Sequence, residues 1–287
     1  MKISDIFKTK KPVFSLEIFP PKKNQGNIEQ IYTTLDGLKD IRPDFISVTY
    51  GAGGNLADSS TADICRIIKD KYNITPLAHL TCVNNSKEDI SSILKMLEEY
   101  GIENILALRG DINPDIEPKK DFRYASELVS YIKQSGNFGV SGACYPEGHI
   151  QSASLVDDIL NVKKKIDAGA EHLVSQLFFD NKFFYNFREK AEIAGINVPI
   201  EAGIMPVVNK NQIERMVSMC GASLPPKFTK MCSRFADNPE ALREAGIAYA
   251  IDQIIDLISN DVDGIHLYTM NNPYVAKKIF DAIETMR

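Results

Sequence analysis

Ionisable side chains lie in or directly after several short apolar segments of this 287-residue chain. Glu17 lies inside the apolar segment Phe14–Phe19, and another segment is followed by Arg109, Gly110 and Asp111. A carboxylate inside an apolar strand is costly unless it is paired or takes part in chemistry. One such carboxylate together with an Arg/Asp loop indicates acid–base chemistry beside a charged intermediate.

Each of these candidates also has a purely structural interpretation. Arg109 and Asp111 are compatible with an ordinary loop ion pair, and His79 is compatible with a hydrogen-bonded core histidine. The glycine-rich residues 51–54 lack the third glycine of a dinucleotide fingerprint, because Leu56 occupies its position. These glycines therefore indicate close approach of the backbone to a ligand.

The elements that carry these residues alternate regularly. Short apolar segments rich in β-branched residues are followed by segments of helical periodicity. The predicted strands are Val13–Phe19, Phe45–Tyr50, Thr75–Thr81, Asn104–Leu108, Phe138–Ala143, His172–Ser175, Val198–Ile204 and Gly264–Leu267. The predicted helices include Ser59–Tyr72, Lys87–Tyr100, Arg123–Gln134 and Leu155–Ala168. Gly101, Gly136, Gly169 and Gly195 each follow a helical segment, where a left-handed C-cap favours glycine.

Eight βα units predict a parallel sheet, and closure leaves that sheet without an edge. We therefore expect residues 1–287 to form a single (β/α)8 (TIM) barrel of class α/β. Extra helices are expected between strands seven and eight, interrupted at Pro225, Pro226 and Pro239. Active sites of such barrels lie at the C-terminal ends of the strands, so the polar residues should share one mouth.

Composition and motifs exclude several classes of protein. Hydrophobic residues make up 44%, charged residues 25%, and the net charge is −5 with both signs mixed along the chain. We expect no nucleic-acid partner, no membrane segment, no signal peptide and no metal site, and we expect a cytoplasmic location. The five cysteines include no C-x-x-C pair. Walker, H-E-x-x-H and G-x-S-x-G motifs are missing from the sequence.

Eight short motifs, in this order, carry a family resemblance. They begin at Phe14, Ser47, His79, Leu106, Tyr145, Gln176, Gly203 and Tyr268 and read FSLEIFPPK, SVTYGAGG, HLTC, LALRGD, YPEGH, QLFFD, GIMPV and YTMN. Over about Val13 to Ile283 the chain resembles the compact bacterial methylenetetrahydrofolate reductases. The resemblance implies non-covalent FAD in the barrel mouth and reduction of methylenetetrahydrofolate to methyltetrahydrofolate with NADH or NADPH. It also implies a role in methionine synthesis and a homo-oligomer without a regulatory domain.

The resemblance also assigns roles to residues. Glu17 matches the general acid that protonates the folate, and Asp111 matches the carboxylate beside the flavin. Substrate contacts are implied for Glu17, Gln176, Gln212, Met216 and Tyr268. Cofactor contacts are implied for Thr49, His79, Arg109, Gly110, Asp111, Tyr124, Ala125, Tyr145, His149, Asp158, Asn161, Lys164 and Lys165.

Three positions depart from the pattern of the relatives. Lys164 replaces an arginine and loses its bidentate geometry toward a phosphate. Met216 replaces a phenylalanine that stacks on the ligand, and Asn272 replaces an arginine for the substrate tail. Two alternatives therefore stay open: a flavin barrel that oxidises another amine, and a non-catalytic barrel that binds flavin or folate.

Overall fold

The computed structural model describes residues 1–21, 28–50, 60–112, 117–209, 212, 213, 217 and 220–287. Its strands form one closed parallel sheet in chain order, so the predicted (β/α)8 barrel is confirmed. The strands are β1 Val13–Ile18, β2 Phe45–Val48, β3 Thr75–Thr81, β4 Asn104–Leu108, β5 Gly139–Cys144, β6 His172–Ser175, β7 Ile200–Ile204 and β8 Gly264–Tyr268.

Helices pack around this sheet. They are α1 Ile3–Ile6, α2 Ile28–Leu38, α3 Ser60–Tyr72, α4 Lys87–Glu99, α5 Ala125–Ser135, α6 Leu155–Asp167, α7 Asn181–Ile193, α8 Pro226–Arg234, α9 Pro239–Ser259 and α10 Pro273–Ile283. Short 3-10 helices span Lys39–Ile41 and Glu284–Met286. Within the described residues, no helix is both long and apolar enough to cross a membrane.

The predicted boundaries of the strands agree with the structure to within two residues. β3, β4 and β6 have the predicted bounds, whereas β2 ends at Val48 rather than Tyr50. The predicted left-handed conformation at Gly136 is wrong, because its φ of 177° is extended. The Phe138 ring packs against this glycine, where an added Cβ would lie 2.8 Å from a ring carbon. Gly101, Gly169 and Gly195 have positive φ as predicted.

The register between β1 and β8 brings chemistry-bearing residues together across 249 or more residues of sequence. Ser15 pairs with His266, and Glu17 pairs with Tyr268. Because side chains alternate between the two faces of a strand, all four lie on one face, the barrel interior. Glu17 and Tyr268 are nearer the C-terminal end of their strands and so belong to the predicted mouth.

The opposite end of the barrel is closed by the N-terminal segment. Ile3 and Ile6 of α1 pack with Val13, Phe45 and other interior apolar side chains into a small buried cluster. The Asn104 side chain accepts a hydrogen bond from the Ile3 amide at 2.9 Å and donates one to the Met1 carbonyl at 3.0 Å. This closure keeps water from the interior below the mouth.

Among the described residues, helices α8 and α9 lie between β7 and β8. Each begins with proline in its first turn. The amides of a first turn have no partner within the helix, so the amide hydrogen that proline lacks is not needed there. Phe228 of α8 stacks on Phe179 with ring centroids 4.4 Å apart, and both rings are buried. This satellite core supports the loops that follow β6 and β7.

Replacing Ile6 with alanine tests the closure of the barrel end. Ile6 is 6% exposed, so I6A should lower the free energy of unfolding by about 2–5 kcal/mol through lost burial and a cavity. The matched control is I193A, because Ile193 is 81% exposed at the end of α7. Urea unfolding followed by circular dichroism measures both variants. Equal stability of the two variants would show that α1 does not close the core.

Candidate active site

Glu17 is a buried candidate residue near the end of β1. Its carboxyl group is buried, with 6% of the residue exposed. Glu17 Oε2 lies 3.4 Å from His266 Nε2 and 3.5 Å from His79 Nε2. Among the described residues, no lysine or arginine pairs with this carboxyl group. The acid therefore lies between two imidazole rings in a dry environment.

His79 is held as a neutral imidazole. Burial is the largest cause and lowers its pKa from 6.5 to about 4, although Glu17 opposes the shift. A neutral imidazole beside Glu17 does not supply the positive charge that would favour a carboxylate.

The Glu17 backbone is fixed by the loop after β8. Thr269 Oγ1 donates a 2.6 Å hydrogen bond to the Glu17 carbonyl oxygen. The Asn271 side chain accepts from the Phe19 amide and donates to the Phe19 carbonyl, both at 2.8 Å. Three side-chain hydrogen bonds thus hold the end of β1 at the mouth.

Tyr268 lies across the barrel beside Glu17. Its hydroxyl group donates to the Ser175 carbonyl at 2.8 Å. The close approach requires glycine at position 203, where an added Cβ would lie 2.2 Å from the Ser175 carbonyl oxygen and 2.9 Å from the tyrosine ring. Burial, followed by the charge of Glu17, raises the pKa of Tyr268 well above its usual value. Tyr268 therefore stays a neutral phenol.

The loop after β4 carries the other predicted catalytic carboxylate. Asp111 is exposed, and Arg109 Nε donates to the Gly110 carbonyl at 3.3 Å. Gly110 has a φ of +85°, and a Cβ there would lie 3.0 Å from Thr81 Cβ. Only glycine fits this turn without strain, so the backbone of the loop lies close against the end of β3.

A third group of side chains lines the mouth after β5. The rings of Tyr145 and His149 contact edge to face, with centroids 4.7 Å apart. Burial raises the pKa of Tyr145 to about 12, and burial followed by Arg109 lowers the pKa of His149. Asp158, at the start of α6, accepts from Ser152 Oγ at 2.9 Å through Oδ1. Its buried Oδ2 has no hydrogen-bond partner among the described residues.

The lysines of α6 have different environments. Lys165 Nζ donates to the Ala143 carbonyl at the end of β5, and burial lowers its pKa. Lys164 is exposed, and its Nζ donates to Asn161 Oδ1 at 3.0 Å. Lys164 and Asn161 are therefore available to a ligand at the surface, whereas Lys165 is directed inward.

The remaining predicted cofactor residues lie just after the C-terminal end of β2 and at the start of α5. The Thr49 amide donates to the Ile18 carbonyl at 3.1 Å, which joins the ends of β1 and β2. Tyr124 is the exposed N-cap residue of α5, and Ala125 is its first residue. The unpaired amides of a helix N-terminus favour an anionic ligand.

The residues predicted to contact the folate lie in different environments. Gln176 follows β6, and its Oε1 accepts from the Leu177 amide at 2.8 Å. Gln212 is buried, and its side chain accepts a hydrogen bond from the nearby Val208 amide at 3.2 Å. Met216 and the glycine-rich residues 51–54 lie outside the described residues.

Four buried polar residues close to Glu17 are not among the candidates predicted from the sequence: Ser15, Ser175, Glu201 and His266. A signal for two of them is nevertheless present. Ser15 and Glu17 alternate along β1, and His266 and Tyr268 alternate along β8. Strands of a parallel barrel are usually continuously apolar, so polar residues at every second position indicate a polar interior.

Comparison with known proteins identifies the family of this barrel. The family model described as methylenetetrahydrofolate reductase matches residues 2–284. The chain belongs to the methylenetetrahydrofolate reductase family. This agrees with the resemblance given by the sequence motifs and with the grouping of their residues at one mouth.

Curated members of the methylenetetrahydrofolate reductase family are similar over most of the chain. The 5,10-methylenetetrahydrofolate reductase of Pectobacterium carotovorum is 37% identical, covering 90% of this chain and 85% of the relative. The Escherichia coli enzyme of the same name is 36% identical, covering 90% and 86%. Methylenetetrahydrofolate reductase 1 of Schizosaccharomyces pombe is 36% identical over 99% of this chain but only 48% of its own length.

Solved structures of low sequence identity share the fold. A Clostridium thermocellum protein, described as binding two copies of 5-methyl-5,6,7,8-tetrahydrofolic acid, has a TM-score of 0.68 at 13% identity. The two chains are covered to 100% and 99%. At this identity the likeness supports the barrel and does not by itself assign a ligand.

The pKa of His79 predicts a specific dependence of stability on pH. Because the folded-state pKa is about 4 and the unfolded value is 6.5, the unfolded chain binds the proton first as the pH falls. Stability is therefore lost between about pH 6.5 and pH 4, by about 3 kcal/mol from this residue. Between pH 7 and pH 4, the free energy of unfolding of H79Q should therefore fall by about 3 kcal/mol less than that of the wild type. Urea unfolding at both pH values measures the two losses. Equal losses would contradict a neutral buried His79.

Proposed function

We propose that this chain reduces 5,10-methylenetetrahydrofolate to 5-methyltetrahydrofolate, with NADH or NADPH as the electron donor and non-covalent FAD as the carrier. The observation that carries the proposal is the buried carboxyl group of Glu17, at the mouth between His79 and His266. Membership of the methylenetetrahydrofolate reductase family supports the same reaction. The product would supply methyl groups for methionine synthesis in the cytoplasm, and we expect a homo-oligomer.

The chemistry of the substrate explains why an acid is required. Methylenetetrahydrofolate contains a closed five-membered ring and is a poor hydride acceptor. Protonation of its bridging nitrogen opens this ring to an iminium cation, which accepts hydride readily. Glu17 is the described acid at the dry mouth that can donate this proton, and Thr269 and Asn271 hold its backbone in place.

Asp111 has the complementary role in this proposal. Its carboxylate is exposed at the same mouth, after β4, and its charge acts on Tyr145 and His149. A carboxylate there stabilises the positive charge of the iminium cation as it forms. The site thus separates the two functions: the buried carboxyl group donates a proton, and the exposed one supplies negative charge.

The residues on the β4–β5 side of the mouth fit a flavin. Asp158 Oδ2 is a buried acceptor without a partner among the described residues, as expected for a group that binds a ligand hydroxyl. Gly110 lets the loop after β4, which carries Arg109 and Asp111, pack closely against Thr81 at the end of β3. Bound FAD supplies hydride transfer from the nicotinamide to the folate. Residues proposed to hold it are Thr49, His79, Arg109, Gly110, Asp111, Tyr124, Ala125, Tyr145, His149, Asp158, Asn161, Lys164 and Lys165.

The folate is proposed to lie over the floor formed by Tyr268 and the end of β6. Tyr268 is fixed by its hydrogen bond to Ser175, and Gln176 follows in the same segment. Gln176 would exchange its bond to the Leu177 amide for the pterin ring. Gln212 and Met216, which follow β7 in the sequence, are also proposed to contact the substrate.

Replacing Glu17 with glutamine separates the two half-reactions. E17Q keeps the shape of the side chain but cannot donate the proton, so folate reduction should slow by about 10²–10⁴-fold. Flavin reduction by NADH needs no acid and should keep its rate. Anaerobic stopped-flow absorbance measures both steps.

The matched control for E17Q is E171Q. Glu171 is a carboxylate paired with Lys133 and Ser4 outside the barrel interior, so both rates should be unchanged. An E17Q enzyme that reduces the folate at the wild-type rate would refute the assignment of the acid.

Replacing Asp158 with alanine tests the proposed flavin site. D158A removes the free buried acceptor, so the dissociation constant for FAD should rise about tenfold to hundredfold. D167A is the control, because Asp167 is exposed on the same helix and pairs with Lys163. Fluorescence titration of the apoprotein with FAD measures both constants. Equal affinity in the two variants would place the flavin elsewhere.

A further inference from the structure

A second carboxyl group, Glu201 of β7, is buried below the mouth and has no role in the proposed reaction so far. It is fully buried inside the barrel. Ser15 Oγ lies 2.9 Å from Oε1, and His172 Nε2 lies 3.2 Å from Oε2. No lysine or arginine of the described chain pairs with it. Ser15 donates its hydroxyl proton to Oε1, whereas Oε2 makes no hydrogen bond with any described residue.

The two buried carboxyl groups are joined by a row of side chains. Ser15 Oγ lies 2.7 Å from His266 Nδ1, and His266 Nε2 lies 3.4 Å from Glu17 Oε2. The register of β1 on β8 places Ser15 directly opposite His266. The pairing of β1 with β8 therefore fixes the central contact, between Ser15 and His266, of the row Glu201, Ser15, His266, Glu17.

Counting protons along this row fixes the tautomer of His266. A carboxylate only accepts, so the single hydroxyl proton of Ser15 is directed to Glu201. Ser15 then accepts from His266 Nδ1–H, which leaves Nε2 of the neutral ring as an acceptor. The atom facing that acceptor, Glu17 Oε2, must carry a proton to make a hydrogen bond.

We propose that Glu201 is a positioning residue that acts through Ser15 and His266 to keep Glu17 in its proton-donating form. This inference rests on the proposed function of Glu17 as the acid. With a donor in place of the carboxylate, Ser15 turns its proton to His266 Nδ1, and the ring carries its proton on Nε2. A donor then faces Glu17 and stabilises the carboxylate, which cannot protonate the folate.

Several other polar and titratable side chains face this row. Those facing Glu17 are His79 from β3 and Tyr268 from β8, which are both neutral at pH 7. His266 Nε2 also has Ser47 Oγ of β2 at 3.5 Å. Glu201 is faced by His172 of β6, whose Nδ1 lies 3.0 Å from Ser141 Oγ. Glu201 is thus the described group at the lower end of the row able to direct the Ser15 proton.

Nitrogen-15 NMR of the apoprotein tests the tautomer without catalysis. The chain has four histidines, so single substitutions assign every ring. We expect His266 to be protonated at Nδ1 in the wild type and at Nε2 in E201Q. That variant keeps the size of the side chain and replaces one carboxylate oxygen with an NH₂ group, a donor that can face Ser15. E171Q, the control, should show the wild-type tautomer. A wild-type ring protonated at Nε2, or no change in E201Q, would overturn the proposal.

The folate half-reaction tests the consequence for Glu17. E201Q and S15A should each slow folate reduction about tenfold at pH 8 and displace its pH profile about one unit to lower pH. Flavin reduction by NADH and the melting temperature serve as checks on the fold, and the NADH rate should be unchanged. The double variant should lose no more than the larger single loss, because both changes break one row.

The outcomes distinguish this inference from the proposed function. If the wild type reduces no folate, the proposed function is wrong, and the NMR result still decides the tautomer. If the wild type reduces folate and both variants match its rate at every pH, Glu201 does not act on Glu17. Additive losses in the double variant, with an unmoved pH profile, would indicate ordinary structural damage and contradict the proposal.

Discussion

Glu17 brings a carboxyl group into the interior of an eight-stranded barrel, where no lysine or arginine of the described residues pairs with it. A buried ionised carboxylate without a partner is strongly unfavourable. Such a group either keeps its own proton or accepts hydrogen bonds from the residues around it. Two histidine rings face the group, and burial holds one of them, His79, neutral. Much of the remaining arrangement of the mouth follows from keeping this one group dry, fixed and able to donate.

The residues that fix Glu17 come from the place where the first and last strands of the barrel pair. Closure of the barrel pairs β1 with β8, which brings His266, Tyr268 and Thr269 beside Glu17. The N-terminal helix closes the far end and excludes water from below. On the other side of the mouth, β4, β5 and α6 carry exposed or half-buried polar groups suited to a large ligand. The acid and the proposed cofactor site therefore lie on different parts of the same rim.

Local patterns predicted the architecture and singled out Glu17, but they did not predict the residues that contact Glu17. Strand boundaries follow from apolar periodicity, and Glu17 is conspicuous because it interrupts an apolar strand. The contacts of His266 and Glu201 could not be predicted from the sequence, since they depend on the register between distant strands. Gly136 was mispredicted because packing of Phe138 sets its conformation. The inward direction of Lys165, toward a strand carbonyl, likewise has no signal in helical periodicity.

The absorbance spectrum of the purified wild-type protein, loaded with FAD under anaerobic conditions, tests the central claim most directly. NADH or NADPH should bleach the flavin bands, and methylenetetrahydrofolate added afterwards should restore them as methyltetrahydrofolate forms. Bleaching followed by restoration requires both half-reactions at one site. A flavin that is bleached but not restored by the folate would contradict the proposed substrate. A protein that binds no FAD would contradict the account of the mouth as a flavin site.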